Sequence, residues 1–212
     1  MKNKTLLLDI DYTIHNNAKF KLLLSKDLKK QFDLPTKKLF SIYDQVLFEN
    51  GYFNPKDFIK KISKELNNKH KIEIANILWD RKKFNKSIYK DSYNFIKKAK
   101  LLTKIWIFSK GDKDFQLSKL NPLEKDNKFN SIYIFKDKLK NIGNLINKLK
   151  ENTIFVIDDS PLVINTFKEK NKNIITILIK RKNGKTHIFN KKIQANYKVK
   201  NLISAVKIIK SY

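Results

Sequence analysis

Leu6-Leu7-Leu8-Asp9-Ile10-Asp11-Tyr12-Thr13-Ile14 is the stretch on which the reading of this chain turns. Three leucines run directly into Asp9, and Asp11 and Thr13 follow at every second position. An apolar run that stops abruptly at two acids predicts a buried strand, with its exit over residues 5–14, that ends at a site. The partners of those acids have to come from elsewhere in the chain.

From residue 15 to about 98, valine is scarce and apolar residues recur at three and four positions, the period of helices. Phe20, Leu23, Leu24 and Leu28 predict a first helix. Thr36, after Pro35, is placed to cap a second, with Leu39, Phe40, Tyr43 and Leu47 on one face. Asn54-Pro55 predicts the start of a third, with Phe58, Ile59, Ile62 and Leu66 as its stripe. Ile74, Ile77 and Leu78 suggest a fourth, and Ile88 to Ala99 a fifth. A helical block after one strand reads as an insertion, a cap over the site.

Beyond about residue 103, strand and helix alternate. Apolar runs at 105–108, 132–135, 153–157 and 174–179 read as strands. Helices are expected around 113–120, 139–149, 162–168 and 199–209. Asn183-Gly184 with His187-Ile188-Phe189 suggests a hairpin. This pattern predicts an α/β fold, a Rossmann-like parallel sheet core flanked by helices with an inserted α-helical cap. The core would comprise residues 1–14 and 99–212, and the cap 15–98.

With 212 residues, 41% of them hydrophobic, the chain can bury a real core. It has no cysteine, which excludes disulfides, thiolate catalysis and cysteine zinc sites. The opening apolar run breaks at Asp9, too early for a signal peptide. No run approaches the roughly 18 apolar residues of a membrane span, so a cytoplasmic protein is expected. The formal charge of +27 comes from lysines spread along the whole chain, together with many Asn and Ile. An A+T-rich coding sequence would produce that joint bias whatever the function. A solvated basic surface is the preferred explanation over a nucleic-acid footprint, and either would concentrate anionic ligands.

Open α/β sheets bind ligands outside the carboxyl ends of their strands. Three predicted strands end in polar groups there: Asp9 with Asp11, Ser109, and Asp158 with Asp159. Any one alone is what an ordinary turn looks like. In this order, on strand ends, they resemble motifs one, two and four of the haloacid dehalogenase (HAD) superfamily. Four carboxylates converging without Cys or His ligands repel one another unless a hard cation sits among them, and all-oxygen ligation suits Mg²⁺.

The resemblance implies a Mg²⁺-dependent phosphatase acting on a small phosphorylated metabolite, such as a nucleotide or sugar phosphate. Asp9 stands where the family's nucleophile forms an aspartyl-phosphate. Asp11 stands at the general acid/base, with its backbone carbonyl also a metal ligand. Ser109 matches the hydroxyl that bonds the phosphoryl oxygens. Lys110-Gly111-Asp112 resembles the Lys-Gly-Asp form of motif two, which puts Lys110 and Gly111 at the substrate, Gly111 by letting backbone N–H groups approach the phosphate. Thr13 completes the first motif and is expected to shape the loop at the substrate more than to do chemistry.

For the motif-three lysine, Lys136, Lys138 and Lys140 all qualify by position. Asp137-Lys138 best resembles the family's acid–lysine pair, with Lys136 second. Asp159 lines up with the metal-ligating acid, and Asp158 with a second ligand, direct or through water. The expected metal set is thus Asp9, Asp11, Asp158 and Asp159. Asn165 stands where some members carry a further acid, and Tyr12 where many have Gly. His15, His70 and His187 show no ligand spacing; His15, close after the first motif, could face the cleft, but a surface or core role is expected for it. Tyr52 and Phe53, beside Gly51, are candidate substrate contacts. Dehalogenation is disfavoured, because dehalogenases of the superfamily lack the second acid that Asp11 supplies. A phosphomutase would use the same residues. The alternative of another class is a non-catalytic or nucleic-acid-associated HAD-fold protein that uses its basic surface.

Overall fold

The computed structural model describes residues 4–124, 129–149, 153–182, 184–185 and 187–212. Six parallel strands form one sheet: β1 (Lys4–Leu8), β2 (Lys104–Lys110), β3 (Ser131–Phe135), β4 (Thr153–Asp158), β5 (Ile175–Ile179) and β6 (Tyr197–Val199). Their order is β3-β2-β1-β4-β5-β6. The strand carrying the opening motif is therefore central, with β2 and β4 on either side in register from Leu6↔Ile105 and Leu6↔Phe155. Parallel strands covered on both faces need apolar residues at every position, which is what Leu6-Leu7-Leu8 supplies. Leu6 and Leu8 enter one buried cluster with α6 (Lys90–Leu102) and α10 (Leu202–Ser211). Leu7 points the other way, into a cluster with α8 (Ile142–Lys148) and α9 (Pro161–Lys170).

Five helices follow β1: α1 (Asn17–Phe32), α2 (Thr36–Asn50), α3 (Pro55–Glu65), α4 (Lys71–Leu78) and α5 (Arg81–Ser87). They bury their own cluster of Phe20, Leu24, Leu28, Ile42, Val46, Phe58 and Ile62. Asn54 caps α3 as its sequence predicts, accepting from Lys56 N and Asp57 N ahead of Pro55. The expected cap of α2 is corrected: Pro35 holds the cap position with no side-chain bond, and Thr36 is already helical. The buried face of α2 is Leu39, Ile42, Tyr43 and Val46, so Leu47 falls outside it. The expected fifth helix is α6, and the sequence reading lacks the short α5 that precedes it. Asp80 caps the short α5, and α6 starts only at Lys90 and packs its Phe95, Ile96 and Ala99 into the sheet cluster. One aromatic ties the two packing regions: Phe115, on α7 (Lys113–Glu124), lies 4.8 Å from Phe53, 5.6 Å from Phe20 and 5.6 Å from Phe84 between ring centroids.

The expected hairpin after β5 is not formed. His187–Phe189 is neither strand nor helix, and Asn183 lies outside the described residues. Instead the chain runs on to a three-residue strand, β6, which pairs with β5 and delays the last helix to Leu202, capped by Asn201. Arg181 anchors the start of this segment. It donates from Nε and Nη2 to the carbonyl of Thr13 (3.2 and 2.6 Å) and from Nη1 to Asp91 Oδ2 (2.7 Å), while lying over the Tyr89 ring. No helix among the described residues is long and apolar enough to cross a membrane.

His15 is fully buried between Phe20 and Phe84, with Nδ1 2.7 Å from Asn17 Oδ1 and, among the described residues, no partner for Nε2. Burial, reinforced by the nearby Lys119 charge, pushes its pKa from 6.5 down to about 3. The unfolded chain therefore binds a proton at His15 below pH 6.5 that the folded chain refuses until about pH 3. This contribution to stability is complete above 6.5 and is lost as pH falls through that window, at about 1.4 kcal/mol per pH unit. Urea titrations across this range are expected to show a shallower pH dependence for His15→Phe than for wild type. Equal slopes would contradict a buried neutral imidazole.

Candidate active site

The carboxyl ends of β1, β2 and β4 open into a cavity of about 510 Å³. Asp9 continues β1, its N–H donating to Ile157 O (3.1 Å). The chain then reverses: Tyr12 sits in the left-handed region (φ 54°), and Ile10 O accepts from the N–H groups of Thr13, Ile14 and His15. That reversal gives Thr13 its loop-shaping place and corrects only its expected position at the substrate. It is fully buried beneath the turn, outside the cavity lining, and its carbonyl belongs to Arg181.

Lys138, from the loop after β3, ends between two acids. Its Nζ donates to Asp9 Oδ1 (2.6 Å) and Asp158 Oδ2 (2.5 Å), whereas Lys136 is exposed. Ser109, on β2, donates from Oγ to the same Asp9 oxygen (3.3 Å). Asp158 Oδ1 accepts from Ser160 N (2.9 Å) at the start of α9. Carboxylate oxygens of Asp9, Asp158 and Asp159 all lie within 4.8 Å of one another. The Asp11 carboxylate is not in that group. It is gripped from α7, by Lys119 Nζ on Oδ1 (2.6 Å) and Gln116 Nε2 on Oδ2 (3.0 Å).

Gln116 also donates to Lys110 O (2.6 Å) and Ser109 Oγ (3.3 Å). This explains Gly111. A Cβ there would meet the Gln116 side chain at 2.9 Å, and the glycine takes φ 153°. The expected role of Gly111 is corrected accordingly: its N–H donates to Phe135 O (2.9 Å), and what it provides is room for Gln116. Lys110 is exposed at the cavity, with its Nζ beside the Gly51 turn. Tyr12, Tyr43, Tyr52 and Phe53 line the far wall, Tyr43 and Phe53 stacked at 4.4 Å.

Gln116 and Lys119 went unread in the sequence, and His187, read there as showing no ligand spacing, is instead at the site. The first two lie three apart on one helix and so share a face, but one more lysine in this chain carries no signal. His187 reaches the cavity wall with Nε2 2.9 Å from Asp159 Oδ2. Asn165 lies outside the cavity lining and ties the segment after β5: its Nδ2 donates to Lys192 O and its Oδ1 accepts from Gln194 N.

Burial pushes the Asp9 carboxyl up, the Lys138 ammonium pulls it down, and Asp158 and Asp11 raise it again, leaving it at about 7. Asp158 and Asp159 are raised as well, chiefly by burial. Burial also acts on Asp11, but the charge and hydrogen bond of Lys119 outweigh it and hold that carboxyl below its usual value. Lys138 is held protonated by Asp158 and Asp9 against its own burial. Removing one partner of a buried pair leaves an uncompensated charge, at a cost of about 3–5 kcal/mol. Lys138→Met in EDTA is expected to lose stability on that scale in urea denaturation, and adding Asp158→Asn to recover part of it. An unchanged midpoint for the single variant would contradict the bridge.

No family model matches the chain, and no curated protein does. Solved structures do. A haloacid dehalogenase-like hydrolase from Burkholderia xenovorans LB400 superposes with a TM-score of 0.78 at 17% identity, over 98% of this chain and 99% of that one. The HAD-hydrolase YfnB from Bacillus subtilis, bound to magnesium, gives 0.68 at 15% over 99% of each. An L-2-haloacid dehalogenase from Xanthobacter autotrophicus gives 0.69 at 10%, over 100% of this chain and 99% of that one. Likeness at these identities speaks to architecture, and with the parallel sheet described above it shows that the chain shares the fold of these structures.

Proposed function

We propose that this chain is a Mg²⁺-dependent phosphatase that hydrolyses small phosphomonoesters through Asp9. The observation that carries the reading is the second acid: Asp11 lines the same cavity as Asp9 and is fixed there by Lys119 and Gln116. The donor set fits a hard cation. Three carboxylates meet within 4.8 Å with a single buried ammonium among them, and among the described residues no hydrogen bond engages Asp9 Oδ2 or Asp159 Oδ1. Asp9, Asp159 and the Asp11 carbonyl would hold Mg²⁺, with Asp158 behind them. Bound there, the ion would screen the acids and polarise the phosphoryl oxygens.

Asp9 attacks phosphorus, the ester oxygen leaves, and a phosphoryl group is carried on the Asp9 carboxylate. Lys138 and Ser109 face Asp9, where charge accumulates during transfer. Protonated Asp11 gives its proton to the leaving oxygen, then takes one from the water that attacks phosphorus as the bond to Asp9 breaks and inorganic phosphate leaves. Its ion pair with Lys119 favours the ionised form, suited to deprotonating that water. A cavity of about 510 Å³ with aromatic walls and Lys110 and Lys185 at its lining suits a small anionic molecule.

Haloacid dehalogenases among the similar structures make carbon–halogen cleavage the competing activity to test. Purified protein is expected to hydrolyse p-nitrophenyl phosphate only with Mg²⁺, to lose about a thousandfold or more with Asp9→Asn, and to leave chloropropionic acid intact. Halide release with no phosphate release would contradict the phosphatase reading. Asp11→Asn is expected to cost about 10²–10⁴-fold on alkyl phosphates, whose leaving oxygen needs a proton, and less on p-nitrophenyl phosphate, whose leaving group does not. Equal losses on both substrates would remove Asp11 from the acid role.

A further inference from the structure

The segment between β5 and β6 forms neither helix nor strand among its described residues, yet it is pinned along its length. Arg181 ties its start to Thr13 O and Asp91, as described above. Asn165, 3% exposed on α9, holds its far half through Lys192 O (2.8 Å) and Gln194 N (2.9 Å). Thr176 N and Oγ1 donate to Asn196 Oδ1 at its end. Between these anchors, His187 is carried to Asp159. Among the described residues this is the one side-chain hydrogen bond that Asp159 makes. Asp9 and Asp158 have their orientation fixed by Lys138, Ser109 and Ser160 N, whereas among the described residues Asp159 has His187 alone.

We propose that His187 is the positioning residue of the cation site: its Nε2–H bond to Asp159 Oδ2 fixes that carboxylate with Oδ1 available to the metal. Outer partners of ligating carboxylates act in this way, and losing one typically costs about 10–100-fold in metal affinity. The role rests on the metal reading above, and it adds to that reading a residue from a segment distant from all four acids in the chain.

Mn²⁺ is the probe, its free signal followed by electron paramagnetic resonance in wild type, His187→Ala and His187→Gln, with thermal melts of each in EDTA. Wild type is expected to bind Mn²⁺ and His187→Ala to bind it about 10–100-fold more weakly. His187→Gln, whose amide N–H can replace the donor, is expected to stay near wild type, with all three melting alike without metal. Equal affinities for wild type and His187→Ala would overturn the proposal while leaving the metal site standing. Weak binding in both variants with lowered metal-free melting would overturn it in favour of a general loosening. Failure of wild type itself to bind Mn²⁺ would instead overturn the metal reading beneath it.

Discussion

A lysine ammonium held between two buried carboxylates is the constraint on which this structure depends. Asp9 and Asp158 end adjacent parallel strands, and the register that pairs β1 with β4 forces their side chains together. Without Lys138 the sheet would gather buried negative charge at its own carboxyl edge. With it, the edge is tolerable but still incompletely neutralised, since Asp9, Asp158 and Asp159 all remain harder to ionise than free carboxyls. A buried acid cluster short of positive charge attracts a cation or an anionic group that brings one, and that residual imbalance is the link from fold to function.

Around this centre, different parts of the chain fix different acids. The loop after β3 supplies Lys138 to Asp9 and Asp158, α7 supplies Lys119 and Gln116 to Asp11, and the segment after β5 supplies His187 to Asp159. The same α7 inserts Phe115 into the aromatic cluster of the helices that follow β1. The helix that grips the second acid is thereby joined to the far wall of the cavity. A shift of those helices would be felt at Asp11 through a single turn of α7.

The centre of the fold was legible because burial on both faces leaves an unmistakable signature: Leu6-Leu7-Leu8, Ile105–Phe108 and Thr153–Ile157 are apolar at nearly every position and stop at polar residues. The helix start at Asn54-Pro55 was legible from cap chemistry. What escaped lacked a local cause. β6 is three residues long and exists because β5 offers an edge to pair with. His187–Phe189 looks like a strand in sequence, but anchors at Arg181 and Asn165 commit that segment to an irregular path. At the site, Asp9, Asp11, Ser109 and Asp158-Asp159 stood out by position, whereas Lys119, Gln116 and His187 act across long stretches of chain and carry no pattern of their own. Thr13 and Gly111 belong to the motifs by spelling, but the turn at Tyr12 and the Gln116 side chain give them structural work.

The central claim is that Asp9 itself carries the transferred group. Borohydride added during turnover of a phosphomonoester with Mg²⁺ reduces an acyl phosphate on aspartate to homoserine, which peptide mass spectrometry locates. The expected result is homoserine at position 9, dependent on substrate and metal and absent from Asp9→Asn. Phosphate release continuing with an unmodified Asp9, or the modification appearing at another aspartate, would contradict it.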